Sequence, residues 1–316
     1  MRRLYLILAL VLITLTAGSC RRRPLVEIDN NVLLNITIGT DIVNYEVQTP
    51  PEMMRAIFFD SKTGDFVSHS FLPHHGGYVH LMPGREYDIL VYNFDTEATI
   101  IDGDYNLNYI LAYTNLVPEN IKSRLKGRAG KGEDEMIVYE PDHLFVGKLE
   151  DVYIPMRGYG MPAFEIDIHA QTVVETWIVE VDNVRGAEFV AAVSSVITGL
   201  ADHNLIGRRE QSYDEATVFF EAASLSKDGH FYAKFNTFGR NALADCKQVL
   251  SLVLTDTGGR SFCFNMDITE KFKDNPLQYI LIKTDDIEVE KPENLGGGGL
   301  APEVDEWGEV HTEIVI

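Results

Sequence analysis

Short apolar runs that alternate with polar residues, separated by turn residues, recur along the whole chain. In the stretch Asn31–Gly39, every second position is apolar: Val32, Leu34, Ile36 and Ile38. Side chains alternate between the two faces of a strand, so this spacing indicates a strand with one buried face. Many short strands with turn residues between them are typical of sandwiches and barrels. The sequence therefore predicts an all-β fold with few short helices.

The same pattern predicts most of the remaining strands. In the first half they are Met54–Phe59, Asp65–Leu72, Tyr78–Met82, Tyr87–Phe94, Met136–Tyr139, Leu144–Val146 and Val152–Pro155. In the second half they are Phe164–Ile168, Val173–Val181, Thr217–Ala222, Gly229–Phe235, Tyr279–Ile282 and Ile287–Val289. Pro118–Leu125 is the best helical segment, because proline is favoured at a first helical position. Gly186–Leu200 fits either a strand or a short helix.

One hairpin can be predicted down to its register. Two strands, Val249–Asp256 and Ser261–Asp267, flank Thr257-Gly258-Gly259. A three-residue loop pairs apolar residues with each other: Leu254 with Phe262, Leu252 with Phe264 and Leu250 with Met266. A two-residue loop would instead set apolar residues opposite Asn265 and Asp267. Burial fixes strand register, so we expect the three-residue loop.

This register bears on the cysteines that follow Cys20, which are Cys246 and Cys263. Cys246 would fall opposite Glu270, about seven positions from the level of Cys263, or ~23 Å at ~3.3 Å per residue. A disulfide cannot bridge that distance. We therefore expect two buried thiols that are not joined to each other.

Residues 1–19 have the layout of a secretory signal peptide. Arg2 and Arg3 precede an apolar run, Leu4 to Leu15, and small residues lead to Cys20. The run is too short to span a bilayer comfortably. We expect cleavage before Cys20 and lipid on its thiol and new amino group, with residues 20–30 as a tether. Secretion without lipid is the alternative. Because no Asp follows Cys20, the expected membrane is the outer one.

The charge excludes some partners. Removing residues 1–19 takes away two of 27 basic residues and none of 48 acidic ones, so the net charge becomes 25 − 48 = −23. Nucleic acids and anionic bilayers attract proteins through Lys and Arg. The excess of carboxylates argues against nucleic acid as a partner and against membrane binding by charge.

The length favours about two domains. The stretch 156–162, which reads Met-Arg-Gly-Tyr-Gly-Met-Pro, is the best boundary because glycine and proline interrupt the strand pattern there. We therefore predict two sandwich domains, residues 31–158 and residues 159–316.

The C-terminal segment forms a separate unit. Four glycines at 296–299 predict a flexible tether. Beyond it, one face of an amphipathic strand carries Val310, Thr312, Ile314 and Ile316. This strand can pair in either of two ways: within its own second domain, or with another subunit as a donated strand.

Several short motifs appear in a fixed order. They are the start at Cys20-Arg21-Arg22-Arg23-Pro24-Leu25, then Pro51-Glu52-Met53-Met54-Arg55, Tyr92-Asn93-Phe94, Tyr113-Thr114-Asn115, Tyr139-Glu140-Pro141-Asp142-His143-Leu144-Phe145, Phe235-Asn236-Thr237-Phe238-Gly239 and Asp305-Glu306-Trp307-Gly308-Glu309-Val310. In these motifs the chain resembles the fimbrillin-like, lipid-anchored anchor or minor subunits of type V pili, the fimbrial anchor lipoproteins of Bacteroidales. The resemblance covers nearly the whole chain that follows the signal peptide.

The resemblance implies two tandem transthyretin-like β-sandwich domains. It also implies an anchor or minor structural subunit of a fimbrium, held by its lipid at the outer membrane and exposed at the cell surface. Its partners would be pilin subunits, joined by β-augmentation, in which one subunit's strand completes another's sheet. Val310, Thr312, Ile314 and Ile316 would be the pairing residues, and Cys20 the lipidated one.

No catalytic constellation is present in the sequence. It contains no GxSxG, HExxH, P-loop or dinucleotide-binding glycine motif. We therefore expect no enzyme activity and no cofactor. Four histidines cluster at His69, His74, His75 and His80; they would bind a metal only if a hairpin gathered them, and an exposed polar loop is the simpler interpretation. The alternative function is a glycan- or ligand-binding lipoprotein of a nutrient-uptake system.

Overall fold

The structure, a computed structural model, describes residues 29–39, 42–43, 46–47, 50–125, 127–128, 136–158, 160–220, 223–241, 246–292 and 309–314. The strands of the first half are β1 (Asn31–Gly39), β2 (Ile42–Val43), β3 (Glu46–Val47), β4 (Met53–Asp60), β5 (Phe66–Pro73), β6 (Gly76–His80), β7 (Arg85–Asn93), β8 (Thr99–Asp102), β9 (Leu111–Thr114), β10 (Ile137–Tyr139) and β11 (Phe145–Ile154).

The remaining strands are β12 (Phe164–Thr172), β13 (Glu175–Asp182), β14 (Val190–Ala201), β15 (His203–Leu205), β16 (Glu210–Gln211), β17 (Glu215–Phe220), β18 (Ala223–Leu225), β19 (Phe231–Thr237), β20 (Val249–Asp256), β21 (Ser261–Asp267), β22 (Tyr279–Lys283) and β23 (Glu309–Ile314). The helices are short: α1 (Glu119–Lys122), α2 (Thr269–Phe272) and two 3₁₀ turns, Leu107–Tyr109 and Ala187–Phe189. The all-β prediction is confirmed.

A seven-stranded sheet forms the first half, in the order β5-β4-β7-β11-β12-β1-β6. Its two end strands, β5 and β6, follow each other in the chain, and the sheet curls around one core. That core includes Leu34, Met54, Ile89 and Ile168, which come from four different strands. Strand β1 pairs in parallel with β12 and antiparallel with β6.

The second half is a sandwich of two sheets. Their strand orders are β10-β17-β14-β20-β21-β23 and β18-β19-β13-β22. Val179 and Ile280 of the four-stranded sheet share a core with Leu252 and Phe264 of the six-stranded sheet. The facing sides of the two sheets therefore enclose one core, as in the sandwich that the sequence predicted.

A further sheet joins the two halves. Its order is β16-β15-β9-β8, so two strands come from each half. His203 pairs with Tyr113 and Asn204 with Ala112 across the halves. The core beneath this sheet is also mixed, since Leu90 and Ile110 pack in one cluster with Phe238. The halves are thus held together by a shared ladder and a shared core.

The sheets do not divide at the boundary predicted between residues 158 and 159. Strand β12 lies in the first sheet, whereas β10 pairs in parallel with β17 of the second sandwich. Val117 and Leu125, which precede β10 in the chain, cover the outer face of the six-stranded sheet, where they pack in one cluster with Val253. Glycine and proline show where the chain turns, but they do not show which sheet the next strand joins.

The predicted hairpin register is confirmed. Leu254 pairs with Phe262, Leu252 with Phe264 and Leu250 with Met266. Cys246 and Cys263 are both buried and are not joined in a disulfide, as the register implied.

Candidate functional site

Three of the motifs that carry the family resemblance converge on a fourth, the segment 139–145, where the chain returns to the first sheet. Thr114 Oγ1 donates a hydrogen bond to the carbonyl of Tyr139 at 2.6 Å. The N–H of Tyr139 donates to the carbonyl of Asn115 at 3.1 Å. The motif at 113–115 therefore supports the beginning of this segment.

Asn93 supports the end of the segment. Its side chain is buried, its Nδ2 donates to the carbonyl of His143 at 3.0 Å, and its Oδ1 accepts from the N–H of Phe145 at 2.7 Å. Burial lowers the pKa of His143, and the positive charge of Lys234 lowers it further. Asn93 thus satisfies backbone groups in this bend, which explains why a buried amide stands at the end of β7.

Asn236 ties the same segment to the second half. Its N–H donates to Glu140 Oε2 at 3.0 Å, and its Nδ2 donates to the carbonyl of Pro141 at 3.0 Å. Its Oδ1 accepts from Thr176 Oγ1 at 2.8 Å. The motifs at 139–145 and 235–239 therefore meet across the junction between the halves. The sequence shows these residues as polar positions next to apolar ones, but it does not show that they touch.

The second candidate site is the outer edge of β21. Phe262, Phe264 and Met266 on one face belong to the sandwich core, and Cys263 on the other packs with the cluster that contains Val117. Asn265 Nδ2 donates to the carbonyl of Gly127 at 3.0 Å. Both faces of β21 are covered, so its backbone edge is the part available for pairing.

Strand β23 pairs with this edge in parallel. Val310, Thr312 and Ile314 stand in register with Phe262, Phe264 and Met266. The structure thus brings these three predicted pairing residues to the register positions of core residues of β21. Ile316, the fourth of them, and Cys20 lie outside the described residues. Whether these residues pair with another subunit stays a prediction.

Buried Asp256 fixes the loop between β20 and β21. Its Oδ1 accepts from the N–H groups of Gly258 and Arg260 at 2.8 and 2.9 Å, and its Oδ2 accepts from Arg260 Nε at 2.8 Å. A carboxylate that accepts several N–H groups sets the loop geometry and hence the position of β21.

An aromatic surface lies on the outer side of the first sheet and was not predicted. Phe66 and Phe71 of β5 are 41% and 50% exposed, and the ring of Phe71 lies 4.8 Å from that of Phe94. A bulge between Phe58 and Phe59 adds one residue to β5. This bulge puts Phe66 and Phe71 on one face although their odd spacing suggests opposite faces.

Arg55 lies on the polar side of this surface and contacts three side chains there. Its Nη2 lies 2.6 Å from Asp104 Oδ2, its Nη1 donates to the hydroxyl of Tyr92 at 2.9 Å, and its guanidinium lies 5.9 Å from the ring of Phe71. Burial raises the pKa of Tyr92, and the nearby positive charge offsets part of that rise. Next to it, the exposed rings of Tyr105 and Tyr109 stack 5.9 Å apart.

The sequence interpretation of the histidines near the β5–β6 turn is an exposed polar loop, with metal binding only if a hairpin gathers them. His74 and His75 lie with their rings 5.3 Å apart. The structure groups none of His69, His74, His75 and His80 with two other metal-ligating side chains, within the described residues. Among the described residues, too, no helix is long and apolar enough to cross a membrane.

The fold, the junction at segment 139–145 and the outer edge of β21 define a two-part all-β protein with a strand-pairing edge. Residues 19–221 match the family model described as "Domain of unknown function (DUF5119)", which is more than half of the chain, and the chain belongs to that family. It is also similar to a protein of Bacteroides ovatus named "Putative fimbrium anchoring subunit Fim4B". The two are 27% identical over 337 aligned positions, which cover 96% of this chain and 95% of that protein.

Solved structures are also similar to this chain. One, described as "a putative adhesin from Bacteroides ovatus", has a TM-score of 0.63 at 24% identity and covers 87% of this chain and 98% of that chain. The fimbrial anchor protein Mfa2 from Porphyromonas gingivalis has a TM-score of 0.49 at 13% identity and covers 80% of this chain and 89% of that chain. The resemblance to fimbrial anchor proteins that the motifs predicted is confirmed by the full-length relative. The chain is therefore a relative of fimbrium-associated surface proteins.

Proposed function

We propose that this chain is a lipid-anchored subunit of a fimbrium at the outer surface of the cell, with a structural rather than a catalytic role. The similarity to a named fimbrium anchoring subunit over 96% of the chain supports this role. The proposed lipid on Cys20 holds one end at the membrane, and strand pairing joins the other end to pilin subunits.

The observation that carries this proposal is the pairing of β23 on the edge of β21. Parallel ladders are slightly less stable per residue than antiparallel ones. A terminal strand in such a ladder, connected through a glycine-rich segment, is suited to exchange between its own sheet and that of a neighbour. The covered faces of β21 mean that the sandwich keeps its core when the strand changes partner.

Deletion of residues 309–316 tests this proposal. We expect the truncated protein to unfold cooperatively within a few degrees of the wild type, because other residues of the protein cover both faces of β21. We also expect that cells making it no longer hold fimbriae. Loss of the cooperative transition would show instead that the strand serves only its own domain.

Two double variants of β23 test whether pairing depends on one face of the strand. We expect V310D with I314D to reduce fimbrial attachment strongly, because these positions stand in register with apolar Phe262 and Met266. The matched control, H311N with E313Q, changes the intervening positions and is expected to keep attachment. Equal effects of both pairs would contradict face-specific pairing.

A glycan-binding role is the second candidate, favoured by the exposed pair Tyr105 and Tyr109, which are 65% and 56% exposed. By contrast, Tyr87, Tyr92 and Trp177 are buried and belong to the cores. Stacked, exposed rings offer apolar faces to sugar rings. Binding of the protein to immobilised oligosaccharides, lost in Y105A with Y109A, would favour this role over a purely structural one.

A further inference from the structure

A group of three metal-ligating side chains lies beside the junction of the two halves. Asp202 occupies the bend between β14 and β15, His203 begins β15, and Asp214 directly precedes β17. One ligand atom from each residue lies within 4.8 Å of the other two. No other group of three or more such residues occurs in the part of the chain that the structure describes.

Backbone hydrogen bonds hold the three residues in place. The N–H of Asp202 donates to the carbonyl of Asp214 at 3.3 Å, and the N–H of Ser212 donates to the carbonyl of His203 at 3.0 Å. The N–H of Asp214 donates to Ser212 Oγ at 2.9 Å. The ligand atoms are therefore brought together by fixed backbone rather than by flexible side chains.

Asp202 and His203 are in close contact. Asp202 Oδ1 lies 2.7 Å from His203 Nδ1, and both side chains are largely shielded from solvent. A similar pair elsewhere in the fold, Asp182 Oδ1 and His230 Nδ1, lies 2.8 Å apart but has no second carboxylate grouped with it among the described residues. A cation placed between Asp202 and His203 would bind the carboxylate oxygen and the neutral ring nitrogen together.

The site opens into a cavity of about 580 Å³. Asp202 and His203 form part of its wall, together with Tyr113 and the apolar side chains of Leu116 and Met136. An ion held by the three residues would therefore have coordination positions that face the cavity.

We propose that Asp202, His203 and Asp214 bind one divalent transition-metal ion, with the remaining coordination positions open to water in the cavity. One imidazole and two carboxylates suit Zn²⁺ or Mn²⁺, whereas Ca²⁺ takes oxygen ligands only. This site lies apart from the edge of β21 and does not depend on the proposed fimbrial role.

Titration of the protein without a histidine tag, residues 20–316, with ZnCl₂ tests the proposal. Isothermal calorimetry should show one Zn²⁺ per chain, with no competition from an excess of CaCl₂. Both H203Q and D214N should weaken binding by about tenfold or more, because losing a ligand should cost at least as much as losing a group that only orients a ligand. Asp214 is exposed, so D214N is expected to fold even if a change at a more buried position does not.

The control is H230Q, which removes the hydrogen-bonded histidine and should leave Zn²⁺ binding unchanged. Thermal unfolding of each variant without metal establishes that it is folded. The proposal is overturned if the wild-type protein binds no Zn²⁺, if D214N binds it as tightly as the wild type, or if binding is abolished in H74Q with H75Q. The last result would assign the metal to the exposed histidine pair instead.

Discussion

Thr99 and Asp142 hold each other through two reciprocal hydrogen bonds. Asp142 Oδ2 accepts from the N–H of Thr99 at 2.8 Å, and the N–H of Asp142 donates to Thr99 Oγ1 at 2.8 Å. The same carboxylate oxygen accepts from the N–H groups of Glu97 and Ala98. Asp142 belongs to the segment on which the family motifs converge, so this contact anchors the junction to the loop before β8.

Substitution D142A should lower the free energy of unfolding by about 2–3 kcal/mol, because backbone donors lose a charged acceptor. Urea denaturation measures the loss. D142N keeps one acceptor oxygen and is expected to lose less than D142A. Equal stability of D142A and the wild type would show that water replaces the carboxylate without cost.

Substitution G207A should destabilise the junction by about 1–3 kcal/mol, since it overpacks a buried contact. A Cβ at this position would collide with the carbonyl oxygen of Leu107 and come within 2.6 Å of Ile110 Cγ2. The matched control is G158A, because a Cβ there meets nothing within 4 Å. Thermal unfolding of both variants should show a loss for G207A only, and a similar loss for both would contradict the close approach.

Substitution E175Q should stabilise the protein at pH 7 by on the order of 1 kcal/mol. Burial raises the pKa of Glu175, and the hydrogen bond from Trp177 Nε1 to Glu175 Oε2, at 3.0 Å, offsets part of that rise. The folded state therefore holds a proton more tightly than the unfolded state. The stability that protonated Glu175 contributes is fully present below the pKa of this carboxyl in the unfolded state. It is lost as the pH rises through the pKa of the carboxyl in the folded state.

Gln keeps an acceptor for Trp177 but does not ionise, so this fall should be absent in E175Q. The free energy of unfolding should be measured at pH 4 and at pH 7. The difference between E175Q and the wild type should be small at pH 4 and larger at pH 7. A difference that does not change with pH would refute the assigned cause.

Substitution C20S should release the protein from the membrane fraction and abolish its labelling by an alkyne fatty acid, because the proposed lipid is attached at that sulfur. The control is C246S, in which a buried thiol near Glu215 is removed and labelling is expected to stay. Labelling that persists in C20S would disprove lipidation at this residue.

Local features of the fold could be predicted well from the sequence. The bounds of β1 and the register of the β20–β21 hairpin follow from alternation and burial, which act between residues close in the chain. Two predicted runs, at 144–146 and 152–155, form the single strand β11 instead. An irregularity between Leu149 and Val152 interrupts the alternation there, and Asp151 has a positive φ.

Long-range features could not be predicted. The pairing of β1 with β12 joins residues more than 120 positions apart, and alternation does not identify a partner at that distance. The contact of Glu140 with Asn236 depends on how two sheets meet, and the polar residues reveal it only once the fold is known. The segment Gly186–Leu200 forms a 3₁₀ turn followed by β14, because antiparallel neighbours on both sides favour the strand.

The position of β1 has a mechanical consequence. This strand comes first after the proposed tether and lies between two neighbours, with eight residue pairs to β12 and five to β6. Inter-strand hydrogen bonds run across the strand direction. A pull along β1 therefore shears both ladders at once and shares the load among all their bonds, whereas a pull across the strand would open them one by one.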